Sequence, residues 1–260
     1  MRKEIEMNWK LKLDLWESEA YNNNIRPVIT DIAQKMDAMI GLPPVLGRKQ
    51  LWIINDPYYG MRIYTPFSDE CYKLGLTVGH MTYGKIAYQF AHLLSTIYTD
   101  PRQTTWFSIT LAHMASFWFL DWLAEKWLES YPSEKYKDSY LAFSNLKTEK
   151  VKTAYQNIDI MLNLASDEWV KEEVGILEHS NGPVPPVIYD QIAFELLPLF
   201  REEENWKLMS YVGKGTRSPI EDSADMRVRP RAKPDFGNLL DAVPDSLKPL
   251  VQRIKAKLYL

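Results

Sequence analysis

His92 and His113 are the two side chains of this chain best placed to do chemistry, and each sits in an apolar run. An imidazole can ligate a metal or move a proton near neutral pH. His92 lies in Tyr88-Gln89-Phe90-Ala91-His92-Leu93-Leu94-Ser95-Thr96, and His113 just before Met114-Ala115-Ser116. Both runs read as consecutive helices, so the two rings could face each other. Zinc accepts nitrogen and sulfur ligands, so His80 or Cys71 could complete a two-histidine site, with Asp121 or Glu125 as carboxylate alternatives. No short-spaced ligand pair supports such a site. The simpler reading of His92 is a buried histidine hydrogen-bonded to backbone or to a tyrosine.

Other motifs carry less. Gly213-Lys214-Gly215-Thr216 has the look of a phosphate loop, but it lacks the upstream glycine and follows a helical segment, so it reads as a helix cap and turn. Arg227, Arg229, Arg231 and Lys233 form a basic run. Alternate spacing on an extended segment would put all four on one side, able to dock an acidic partner or nucleic-acid phosphate. The plain alternative is a solvated loop. Glu202, Glu203 and Glu204 read as a wet helix start. No serine–histidine–aspartate set or redox cysteine pair is readable.

The elements that must position these residues fall into two textures. Trp9, Leu11, Leu13 and Leu15 alternate with Lys10, Lys12 and Asp14, the pattern of a strand with one wet face. Residues 25–40 predict an amphipathic helix, with Pro27 near its first turn and Gly41, Pro43 and Pro44 ending it. Three short β-like runs follow at 51–54, 61–64 and 74–78, separated by Asn55-Asp56-Pro57 and Pro66. After Gly79 the pattern turns helical. Asp100-Pro101-Arg102-Gln103 predicts the start of a new helix through a capping box. Further helices are expected at 136–145, 148–164, 167–178, 187–201, 203–212 and 246–258. Ser218-Pro219-Ile220-Glu221 predicts another capping box, and 222–237 a loop. The fold class is therefore α+β and mainly helical. It divides into residues 1–80 with the small mixed sheet, 81–217 as a helical core, and 218–260 as linker and last helix, together forming one compact unit.

Composition narrows the function classes. A chain of 260 residues, 46% apolar, can bury a substantial core. A net charge of −3 creates no global attraction for nucleic acid or an anionic membrane. The single Cys71 excludes an internal disulfide framework, and with an N-terminus lacking a continuous apolar stretch it points to the cytoplasm. Residues 107–124 are largely apolar, but His113 and Asp121 interrupt them, so a buried helix is expected there rather than a membrane span. The aromatic series Trp106, Phe107, Phe117, Trp118, Phe119, Trp122 and Trp127 is distributed around that helix, and any exposed subset would be a docking candidate.

Residues 83–130 resemble the metal-binding core of bacterial zincin-type metallopeptidases. The likeness is carried by Tyr88-Gln89-Phe90-Ala91-His92, Asp100-Pro101-Arg102, Trp106-Phe107 and Met114-Ala115-Ser116, and by the run from Tyr189 to Phe200 followed by Trp206. Zincins carry H-E-x-x-H on the first helix, two zinc ligands flanking a glutamate base. In this register Leu93 replaces the base and Thr96 the second histidine. The downstream acidic ligand falls at Ser108 or Ile109, and His113 stands where a further acidic residue is expected. The resemblance implies a zincin-like helical core without catalytic residues and with no cofactor, zinc being lost with its ligands. It implies a non-catalytic protein- or peptide-binding module: an inhibitor, an immunity protein or an assembly component. The rival expectation is a hydrolase with a relocated metal site at His92 and His113. Nucleic-acid association through the basic arm ranks behind both.

Overall fold

The computed structural model describes residues 8–80, 82–156, 168–179, 184–216 and 233–259. Its fold is α+β and mainly helical, with a small mixed sheet at the N-terminal end. The strands are β1 (Leu11–Asp14), β2 (Gln50–Asn55), β3 (Arg62–Ile63) and β4 (Cys71–Leu76), in the order β1-β2-β4-β3. β1, β2 and β4 run parallel and β3 is antiparallel to β4. The parallel β1–β2 pair needs a long crossover, and α1 (Glu19–Ile40) supplies it. Leu13, Ile53 and Leu74 stand side by side on the buried face, one residue out of phase with Lys12, Trp52 and Lys73 on the other.

α1 begins six residues before the expected start, so Pro27 lies inside the helix rather than near its first turn. The apolar pattern did not extend that far back, and in the first turn the buried Asn22 ties the incoming chain to the helix. Its side-chain oxygen accepts from the backbone of Leu15 and Trp16, and its amide donates to the Trp16 carbonyl. Gly41 at φ 71° ends the helix in the left-handed conformation that favours glycine.

The helical part is organised around α2 (Tyr83–Tyr98) and α3 (Trp106–Glu129), which pack against each other. The expected capping box at Asp100 is not where α3 starts. Asp100 has φ 68°, and its carboxylate accepts from the Arg102 backbone and guanidinium, forming a turn instead. Thr105 caps the helix: its hydroxyl accepts from Ser108 N–H while Ser108 Oγ accepts from Thr105 N–H. α3 is buried on most sides, from Trp106 through Leu111, Ala115 and Phe119 to Trp127. No described helix is long and apolar enough to cross a membrane.

Where helices were expected at 136–145 and 148–164, α4 (Tyr140–Tyr155) runs through the break between them after a short 3₁₀ turn at Glu134–Tyr136, and the expected stretch 157–164 lies outside the described residues. α4 reaches α2 at Gly84, where an added Cβ would stand 2.4 Å from the Ala142 carbonyl oxygen. The remaining helices among the described residues are α5 (Glu168–His179), α6 (Pro186–Leu196), α7 (Met209–Val212), α8 (Phe236–Ala242) and α9 (Lys248–Tyr259). The expected helices at 187–201 and 203–212 are broken by 3₁₀ turns at Leu197–Phe200 and Glu203–Leu208, the first holding Pro198. α8 enters what was expected to be loop, capped by Asp235, whose carboxylate accepts from Gly237 and Asn238 N–H. One apolar core runs from Trp9 to Leu258.

Candidate functional site

Four helices bring polar side chains together inside the helical part. α2 supplies Tyr88 and His92, one turn apart on the same face; α3 supplies His113, α4 Lys150 and α6 Asp190. Asp190 is the hub. Its Oδ1 accepts from His113 Nδ1 at 2.6 Å and from the Tyr88 hydroxyl at 3.1 Å, and its Oδ2 lies 3.4 Å from the Lys150 ammonium. The Tyr88 hydroxyl is also 2.9 Å from His113 Nδ1, and Lys150 sits 4.7 Å above the Tyr88 ring. Because a carboxylate only accepts, the network assigns the His113 proton to Nδ1.

The surroundings are closed. His113 and Asp190 are 7% and 4% exposed, and a base so enclosed has little access to a substrate proton. The His113 ring stacks on Tyr189 at 5.6 Å and meets His92 edge-on at 4.8 Å. Burial, then the charges of His113 and Lys150, hold the His92 imidazole well below its ordinary pKa, so it is neutral near pH 7. Burial first, and the Asp190 carboxylate second, push the Tyr88 phenol well above its usual range.

His92 differs from its expected reading in one respect. It is buried, but the tyrosine bonds to His113, and His92 Nδ1 has no partner among the described residues. Leu93 is buried, and the Ser95 and Thr96 hydroxyls both donate to the His92 carbonyl, at 2.8 and 2.9 Å. The other candidates lie elsewhere. His80 packs against Trp16 and Tyr21, and Cys71 lies on β4. Asp121 pairs with Lys147 and, with Glu125, lines a cleft of about 380 Å³ under Trp118, Trp122 and Phe194. Among the described residues no three His, Cys, Asp or Glu side chains are grouped to hold a metal ion. The residues present do not fit a catalytic zinc, because the groups around His113 and His92 are a phenol and an ammonium and no set of three ligands with an open water position is assembled among the described residues.

Arg227, Arg229 and Arg231 lie outside the described residues, as does the Ser218 capping box; Lys233 is exposed. The residues that sequence reasoning passed over are Asp190 and Lys150. Asp190 had a signal, a lone carboxylate in the otherwise uncharged run from Tyr189 to Phe194, since a buried charge requires partners. Lys150 had none, standing between Lys147 and Lys152 in a helix whose sequence does not distinguish the three. No family model, curated protein or solved structure matches the chain.

Proposed function

We propose that this chain is a non-catalytic, metallopeptidase-like scaffold that acts by binding a protein or peptide. The observation that carries this reading is the hydrogen-bonded set of His113, Asp190, Tyr88 and Lys150 at the junction of α2, α3, α4 and α6. In the register of the resemblance, this junction is where a zincin would hold its metal. Here a lysine ammonium supplies positive charge beside the carboxylate, and His113 is tied to Asp190. Leu93 offers no proton, and the Thr96 hydroxyl is committed to the helix backbone. These groups can brace four helices against one another, and none of them stands in the place of the zincin glutamate base.

Elemental analysis joined to a peptidase assay tests the reading. Purified protein is expected to carry zinc well below one equivalent and to show no turnover above a His92→Ala, His113→Ala double variant. Near-stoichiometric zinc that is lost on His92→Ala, together with turnover, would overturn it in favour of a hydrolase using His92 and His113.

A further inference from the structure

The outer face of the small sheet carries a row of side chains that the fold does not need for its core. Strand register puts Lys12, Trp52 and Lys73 side by side across β1, β2 and β4. Tyr64, whose N–H bonds the Lys73 carbonyl, extends the row past β3. The cations alternate with the rings. Lys12 lies 4.2 Å from the Trp52 centroid, and Lys73 lies 4.6 Å from Trp52 and 4.8 Å from Tyr64. The partners of these charges differ. Lys12 is neutralised by Asp14 at 3.0 Å, whose carboxylate also accepts from Trp52 Nε1 at 2.8 Å. Lys73 has no carboxylate partner among the described residues and is held only between two rings.

Two further observations bear on this face. Gly75, next on the same side of β4, is where Arg62 and Tyr64 fold inward: a Cβ there would meet both at 3.2–3.3 Å. Their charge and hydroxyl are anchored on buried Asp56. Beside them the β2–β3 turn presents Tyr58 and Tyr59, 89% and 63% exposed, the first the most exposed large hydrophobic residue among those described. Half-buried tryptophan and tyrosine around a fixed cation, with exposed tyrosines on the neighbouring turn, match the composition of interface hot spots.

We infer that this face is the docking surface for an acidic segment of a protein partner, with Lys73 receiving a carboxylate between Trp52 and Tyr64. The inference rests on the protein-binding reading above and names the surface that reading needs. Charge complementarity chooses the occupant. The central cation lacks a counter-ion among the described residues, and lysine groups lie over the rings where nucleic-acid bases would have to stack.

The test uses fluorescence anisotropy on the full chain with three labelled probes: a peptide of alternating glutamate and tyrosine, its lysine–tyrosine counterpart, and oligothymidylate. The glutamate peptide is expected to bind and the lysine peptide not to. Lys73→Glu should weaken the glutamate peptide roughly tenfold or more, and Trp52→Ser should weaken it too, with circular dichroism unchanged in both. Equal binding of the two peptides, tighter binding of oligothymidylate, or indifference to Lys73→Glu would overturn the inference. A native-host partner retained equally by wild type and Lys73→Glu would also overturn it, while leaving the protein-binding reading standing. Turnover with bound zinc would remove that reading independently.

Discussion

Asp190 is the residue on which most of the buried polar chemistry converges, with an imidazole, a phenol and an ammonium around one carboxylate. Removing one member of such a set leaves the others buried and uncompensated, at a cost of about 3 kcal/mol or more. Asp190→Asn should therefore lower the urea midpoint by an amount corresponding to about 3 kcal/mol, with near-ultraviolet circular dichroism reporting loosened aromatic packing. His92 gives a prediction in pH. Its folded-state pKa lies below the unfolded value of about 6.5. Below that pH the unfolded chain therefore binds a proton that the folded chain refuses, and stability falls as pH drops. Between pH 6.5 and 5 this contributes at most about 2 kcal/mol of loss. His92→Leu should lose less stability than wild type over that window in paired urea titrations. An equal loss in both would remove His92 as the cause.

At the scale of elements, the junction depends on how closely α2 and α4 approach and on where α3 begins. Gly84 lets the α4 backbone at Ala142 come within van der Waals reach of α2. The obstacle to a larger residue is backbone, which cannot rotate away, so Gly84→Ala should cost about 2–3 kcal/mol despite alanine's better helix propensity. A gain in melting temperature would contradict this close approach. Thr105→Ala removes the hydroxyl that caps α3 and should cost about 1 kcal/mol. Asp100, at φ 68°, is a turn residue whose carboxylate is bonded to Arg102, so Asp100→Gly should cost less than Asp100→Ala in paired urea titrations, since both lose those bonds and only glycine takes the left-handed conformation without strain.

The whole molecule is held by one core that the C-terminal helices help to close. Leu247, Leu250, Val251, Ile254 and Leu258 are all buried, against α5 and α8 among others. Each fully buried aliphatic side chain contributes about 1.5–3 kcal/mol. Truncation after Val243 therefore removes more than the usual stability margin of a domain. The truncated chain should bind ANS and lose its cooperative urea transition; a sharp, native-like transition would show instead that the last helix is dispensable.

Local pattern was enough for the existence of the sheet strands, for the mainly helical class and for the burial of α3, though β4 runs over Cys71–Leu76 where 74–78 was expected. Alternation and apolar density are properties of consecutive residues, and burial follows from them directly. Helix boundaries were less legible where a side chain far from the apolar stripe made the cap, as with Thr105 and Asp235. The pairing of His92 with His113 could be anticipated because their helices are consecutive. Tertiary structure alone decided that Asp190 and Lys150 join them, and that Lys12, Trp52, Lys73 and Tyr64 form one row. Those residues come from distant segments, and which of them meet depends on helix packing and strand order, which no local spacing encodes.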